Sequence, residues 1–334
     1  MNRRAIVSVL VLLICAPPQP AQAYLKFGVT VGDQRVTLKW KPGPVRYFIF
    51  DSSVPGVTSP DLQAAVARAF ATWQAVPTSS IAYQFGGLTS AQPGDDDGTS
   101  TIGFENYPDL DGVLASTSFV VDDATGELIE SDIFFNASYP WSVAANGEPG
   151  KFDLESVALH EIGHFSGLGH SALGETSLSA SGGRAVIGAE AVMFPIAYAP
   201  GSIVSRTLKA DDIAGISDLY PDGDYATAEG SLSGRVFKNG HPFFGAHVVA
   251  FDLRTKTMVA GFSLTDQGQF SIGGLSPGLH VIRVEPLDDA NVDSFFDQSV
   301  NPVDVDFQVT FDGVLVVVPR GGDSGQVLVT VQNK

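Results

Sequence analysis

The chain has 334 residues, with 37 Asp and Glu against 19 Lys and Arg and a formal charge of −18 at pH 7. So acidic a surface argues against nucleic acid and anionic membranes as partners and leaves carboxylates available for hard cations. After the N-terminal leader no run approaches the roughly 20 apolar residues that spanning a bilayer needs, so no transmembrane segment is expected, and the length suits two domains better than one.

The chain opens Met1-Asn2-Arg3-Arg4, runs apolar from Ala5 to Cys15 and reaches Ala21-Gln22-Ala23. That charged, apolar, small-residue order is expected of a secretory signal peptide, 1–23, with Tyr24 starting a secreted, extracellular protein. Loss of Arg3 and Arg4 takes the formal charge from −18 to −20. Cys15, the only cysteine, lies in the leader, so the exported protein is expected to have no disulfide. The bulky Ile14 before it argues against a lipoprotein acylated at Cys15.

Val45 to Phe50 reads as a strand. Ser59-Pro60-Asp61 then offers a cap, a proline at the first helical position and an early acid, and Leu62, Val66, Ala69, Phe70, Trp73 and Val76 follow on one face. That spacing predicts an amphipathic helix laid on a sheet. Strands are expected over 112–121 and 129–135, a second helix from the cap Asp153 to about Phe165, and a third from about Lys209 to Tyr220, where Pro221 stops it. A sheet with three helices gives an α+β class. After about residue 228 the chain reads as short strands between turns. Gly234-Arg235-Val236-Phe237 and 246–251 flank Asn239-Gly240, and Phe270-Ser271-Ile272 and 280–284 flank Leu275-Ser276-Pro277-Gly278. An antiparallel all-β sandwich domain is expected there. The division is 1–23 leader, 24–224 first domain and 229–334 second domain.

The stretch that carries chemistry is His160-Glu161-Ile162-Gly163-His164-Phe165-Ser166-Gly167-Leu168-Gly169-His170. Histidines four apart on a helix share a face, with Glu161 beside them. Gly167 can take the left-handed conformation that ends a helix, so the chain can turn back and bring in His170. Three neutral imidazoles make a zinc site with one position open to water, and Glu161 is placed to act as general base in metal-assisted hydrolysis. On average composition such a pattern arises by chance in roughly one chain in 10⁵, so it is read as a metal site. The three are also the only histidines before residue 240. The mature chain has no cysteine nucleophile.

These eleven residues, with Ser171 after them, resemble the metzincin zinc motif as matrixins, the matrix metalloproteinase family, carry it. Ala191-Val192-Met193-Phe194-Pro195 resembles the family's Met-turn, which implies Met193 as a hydrophobic floor beneath the zinc. Leu38-Lys39-Trp40, Ala69-Phe70-Ala71-Thr72-Trp73 and Asp211-Asp212-Ile213-Ala214-Gly215-Ile216 extend the resemblance over about 38–221. It implies a twisted, mostly parallel sheet with three helices, a substrate edge strand at Gly112-Val113-Leu114-Ala115 with Leu114 and Ala115 facing the peptide, and Tyr198 lining the pocket after the scissile bond. The second domain resembles the carboxypeptidase regulatory-like, transthyretin-like sandwich at 265–270 and 275–278. His241, His247 and His280 are dispersed and read as ordinary surface or core residues.

Several features depart from the family. Fifteen residues, Tyr24 to Leu38, none of them cysteine, precede Lys39, so neither a pro-domain nor a cysteine switch is expected. The segment from Ser171 to Val192 is long and rich in Gly, Ser and Ala, and reads as a flexible insertion beside the cleft. With no further histidine in this domain, a second zinc is not expected and calcium is the candidate structural ion. Asp95, Asp96 and Asp97 before Gly98, and Asp109 with Asp111, are candidate ligands, set against the alternative of a solvated acidic loop. The expected activity is that of a secreted zinc metalloendopeptidase acting on proteins or peptides, with a cell-surface or matrix ligand as a candidate partner of the second domain. The rival is a zinc-stabilised binding or adhesion protein, which needs the histidines but has no use for Glu161.

Overall fold

The computed structural model describes residues 24–31, 34–178, 183–299 and 302–334. The leader and Cys15 lie outside the described residues, apart from the backbone of Ala5–Val7, which pairs antiparallel with residues 119–121.

A twisted sheet is formed by β1 (Pro44–Phe50), β2 (Ala82–Thr89), β3 (Thr101–Glu105), β4 (Ala115–Asp122) and β5 (Glu127–Asn136), in the order β4-β5-β3-β1-β2. The pairs β1·β2, β1·β3 and β3·β5 are parallel, and β4·β5 is antiparallel. Helices α1 (Ser59–Gln74), α2 (Leu154–Phe165) and α3 (Ala210–Leu219) complete an α+β unit. The amphipathic stripe expected of α1 is its buried face, with Leu62, Val66, Ala69 and Trp73 all at 0% exposure. Its cap lies one residue earlier than the sequence suggests. Thr58 accepts from the Asp61 backbone while Asp61 accepts from the Thr58 backbone, a capping box that moves Ser59 into the helix. Trp73 ties α1 to α2, its indole N–H donating to the Leu159 carbonyl at 2.8 Å.

The segment read as a flexible insertion contains a β-hairpin, β6 (Gly174–Leu178) with β7 (Arg184–Ala189), whose tip at 179–182 is outside the described residues. Asp289 fastens it from the far end of the chain, accepting from the Thr176 amide at 2.7 Å while the Thr176 hydroxyl donates to the Asp289 carbonyl at 2.8 Å.

The remaining strands form two sheets around one apolar core containing Leu232, Val248, Phe270 and Ile282. One holds β8 (Gly230–Lys238), β11 (Gln269–Leu275) and β14 (Asp323–Val331); the other holds β9 (His247–Asp252), β10 (Met258–Phe262), β12 (Gly278–Glu285) and β13 (Val316–Val318). The two turn motifs do not close hairpins between the strands they were expected to join. Asn239-Gly240, both at positive φ, leads only into the short strand His241–Pro242, and β9 lies in the other sheet. Likewise β11 and β12 belong to different sheets. The first and last strands, β8 and β14, pair in parallel, a long-range contact invisible to turn chemistry.

The two parts share apolar contacts. Leu25 and Phe194 cluster with Phe262, Leu287, Phe295 and Phe296, and Tyr24 and Ala214 join the core between the two sheets. The Asp211 carboxylate, 3% exposed, accepts from the Ala260 amide of β10 at 2.8 Å.

Candidate metal centre

Helix α2 begins where Asp153 accepts from the Ser156 amide at 2.9 Å, and Arg206 pairs with the same carboxylate at 2.5 Å. It ends at Ser166 with Gly167 at φ 100°, where the Leu168 amide donates to the Gly163 carbonyl and the Gly167 amide to the His164 carbonyl. This is the Schellman closure that a glycine in left-handed conformation permits. The reversed chain then carries His170 back to face His160 and His164. A side chain at Gly167 would meet the Leu38 carbonyl at 2.5 Å, so the turn is also packed tightly from outside.

The three ring centroids lie 4.7, 5.4 and 4.7 Å apart, and one nitrogen from each ring falls within 4.8 Å of the others. Each Nδ1 has its own carbonyl: His160 to Val192 at 2.8 Å, His164 to Leu168 at 2.8 Å and His170 to Ser294 at 2.9 Å. A carbonyl can only accept, so each Nδ1 carries the proton and each Nε2 presents a lone pair. The Nε2 atoms of His164 and His170 stand 3.2 Å apart. Burial and the neighbouring rings keep the imidazoles neutral, with His160 lowered to about 3, His164 lowered strongly and His170 lowered mainly by burial. Neutral rings, fixed tautomers and converging lone pairs are what a nitrogen-ligated zinc needs, so the residues fit that ion.

Glu161, 5% exposed, is pushed up to about 7 by burial, against the opposing hydrogen bond from Thr117, whose hydroxyl donates to Oε2 at 2.6 Å. Met193 and Trp73 both pack at Gly163, where an added methyl would overlap the Met193 sulfur. The Met193 segment is fastened by Asp212, which accepts from the Val192 amide at 2.8 Å and the Met193 amide at 3.1 Å.

The histidines and Glu161 open into a cavity of about 540 Å³, with 112–117 on one side and 195–199 on the other. Leu114 and Ala115 line it, although Leu114 precedes β4 and only Ala115 lies within the strand. Tyr198 lines it as well, its hydroxyl accepting from the Ala189 amide of β7 at 2.8 Å.

The acidic loop residues are not drawn together in this way. Asp95, Asp96, Asp97, Asp109 and Asp111 are all exposed, and among the described residues the three histidines are the one group of ligand atoms that converges. Buried carboxylates hold the first loop from beneath: Asp132 accepts from the Gly94 amide at 2.6 Å and the Thr101 amide at 2.7 Å, and Glu130 accepts from the Gly98 amide. The buried Asn136 amide staples the second, donating to the Tyr107 carbonyl at 2.9 Å and the Val113 carbonyl at 3.1 Å. Thr117 and the Ser294 carbonyl carried no sequence signal. Asp212 lay within the helix whose resemblance to matrixins was legible.

Three histidines with converging lone pairs beside a buried carboxyl, set in a cleft next to a sheet, make a candidate metal centre. Residues 39–181 match the Peptidase_M10 family, Matrixin, and this part of the chain is a matrixin domain. Matrix metalloproteinase-20 of Homo sapiens is 30% identical over 189 residues, covering 54% of this chain and 32% of that protein. Metalloendoproteinase 1 of Glycine max is 31% identical over 195 residues, 54% of this chain and 52% of that protein. Karilysin of Tannerella forsythia is 27% identical over 197 residues, 58% of this chain and 36% of that protein. The chain thus spans about a third to a half of the length of these relatives. Among solved structures, the Bacillus anthracis TIE protein covers 32% of this chain and 17% of its own at 14% identity, with a TM-score of 0.22.

Proposed function

We propose that the chain is a secreted zinc-dependent metalloendopeptidase that hydrolyses peptide bonds of proteins, with His160, His164 and His170 as ligands, Glu161 as general base and Met193 as the floor of the site. The observation that carries this reading is the set of three Nδ1–carbonyl hydrogen bonds, which commits all three Nε2 lone pairs to one point beside a buried carboxyl. Bound there, zinc supplies Lewis acidity, acidifying water and polarising the scissile carbonyl. Glu161 takes the proton of the attacking water and returns it to the leaving amine. Thr117 holds Oε2, which leaves the other carboxylate oxygen for that transfer. The substrate lies extended along 112–116, whose backbone pairs with it, and its side chain after the cleaved bond enters beside Tyr198.

Secretion is supported by the leader pattern. Among the described residues no helix is long and apolar enough to cross a membrane. The catalytic domain is taken as 24–224, in a metzincin fold, and 229–334 as a carboxypeptidase regulatory-like β-sandwich. A cell-surface or matrix ligand of the sandwich would meet the exposed side chains Phe311, Val314 and Val317. A zinc-stabilised adhesion protein would need the histidines but not a carboxyl held at 2.6 Å by a buried hydroxyl.

The test is to incubate the purified protein with a mixed peptide library, with and without a chelator and then with zinc restored, while measuring bound metal. Cleavage that disappears on chelation and returns with one zinc per chain is expected; one bound zinc without cleavage would sink the enzyme reading. Thr117→Val keeps the shape and removes the hydroxyl. Hydrogen bonds to charged groups are worth about 1.5–3 kcal/mol, so kcat/KM at full zinc occupancy is expected to fall roughly tenfold or more with zinc affinity unchanged. An unaltered kcat/KM would show that the hydroxyl plays no part in holding the base.

A further inference from the structure

His160 and His164 take their Nδ1 partners from the matrixin part of the chain, whereas His170 takes its partner, the Ser294 carbonyl, from 124 residues downstream, in the β-rich C-terminal part. We infer that the 291–296 segment is a positioning element of the metal centre, fixing the tautomer and orientation of His170 from the second domain. The inference rests on the reading of the three histidines as zinc ligands.

The segment is built to hold a carbonyl in place. Asn291 caps the turn Val292–Ser294 by accepting from the Asp293 amide at 3.2 Å, and the amides of Phe295 and Phe296 both donate to the Val292 carbonyl at 2.9 Å. Phe295 and Phe296, each 1% exposed, then anchor the turn in the shared apolar cluster with Leu25, Phe194 and Phe262. The Phe295 ring stands edge-on to the His170 ring, centroids 6.4 Å apart. One short segment therefore gives His170 both its hydrogen-bond acceptor and a wall, and the Asp211–Ala260 and Asp289–Thr176 bonds fasten the same two parts. A ligating imidazole needs such a partner to keep its free nitrogen aimed at the metal.

The test uses the full-length protein and reads zinc affinity by chelator competition, with the melting temperature of the zinc-free form measured alongside. Phe295→Ala is compared with Phe296→Ala, whose ring contacts among the described residues are with Phe244 and Phe262. Both remove a buried phenyl from one cluster, so both are expected to melt lower. Phe295→Ala is expected to bind zinc about 10–100-fold more weakly, with Phe296→Ala within about threefold of wild type, the scale on which partners of metal-bound histidines act. Equal zinc affinity in Phe295→Ala and wild type, or equal weakening in both variants, would overturn the inference. A wild type that binds no zinc would instead remove the metal reading beneath it. Should Phe295→Ala not fold, imidazole nitrogen spectra of the zinc-loaded wild type decide: a protected His170 Nδ1–H alongside those of His160 and His164 is expected, and rapid exchange at His170 alone would refute the anchor.

Discussion

Replacing Glu161 by Gln is expected to cut peptide hydrolysis by about 10²–10⁴-fold at full zinc occupancy, the span that a positioned general base contributes. The substitution is nearly isosteric, and Thr117 can still donate to the remaining amide oxygen, so the site should keep its shape. Zinc affinity should change little, because the three Nδ1–carbonyl bonds that orient the ligands do not involve the Glu161 side chain. The measurement is kcat/KM on one library-derived peptide together with a zinc titration of both proteins. Retained cleavage in a zinc-loaded Glu161→Gln protein would mean that another group moves the proton. Cleavage and zinc lost together would mean that Glu161 shapes the site and is not simply its base.

The largest effect on stability is expected at Trp73. Its side chain is fully buried between α1 and α2, donates to the Leu159 carbonyl and packs at Gly163 beside Met193. Trp73→Ala should cost about 3–5 kcal/mol, the range for large aromatic truncations in a core that cannot collapse. Leu159 lies inside α2, so its carbonyl keeps a helical partner, and the loss comes chiefly from the cavity. Trp73→Phe should cost distinctly less. Urea denaturation of the zinc-free protein measures both, with the m-value checked so that a changed unfolded state is not mistaken for lost packing. A cost below about 1.5 kcal/mol for the alanine variant would show that the wall of Trp73, Gly163 and Met193 is not what holds the metal helix in place.

The parts of the molecule that were legible in the sequence are those whose cause is local. The stripe from Leu62 to Trp73, the Asp153 cap, the glycine after α2 and the spacing of the three histidines each depend on neighbours within about two turns, and each is found in place. What was not legible depends on pairs far apart. The Ser294 anchor acts through a backbone carbonyl that any residue would supply, so no residue type marks it. Thr117 reads as one more β-branched residue in a strand until β4 is set against α2. In the C-terminal part the turn residues were visible, but the choice between continuing in one sheet and crossing to the other is made by which face the following strand buries. Small and polar residues over 171–192 gave no sign of a hairpin either, because the bond that fastens its first strand comes from Asp289, far along the chain.

The parallel pairing of β8 with β14 has a consequence for the order in which the molecule is completed. β8 is made early in the C-terminal part, yet one of its neighbours consists of residues 323–331, synthesised long after it. The carbonyl that aims His170 also lies late, after the whole matrixin part has been made. A chain emerging from the ribosome N-terminus first therefore presents His160 and His164 well before the third imidazole has its anchor. With domains folding as units and long-range parallel contacts forming slowly, the centre is completed only once the C-terminal part has folded against the part that carries the three histidines.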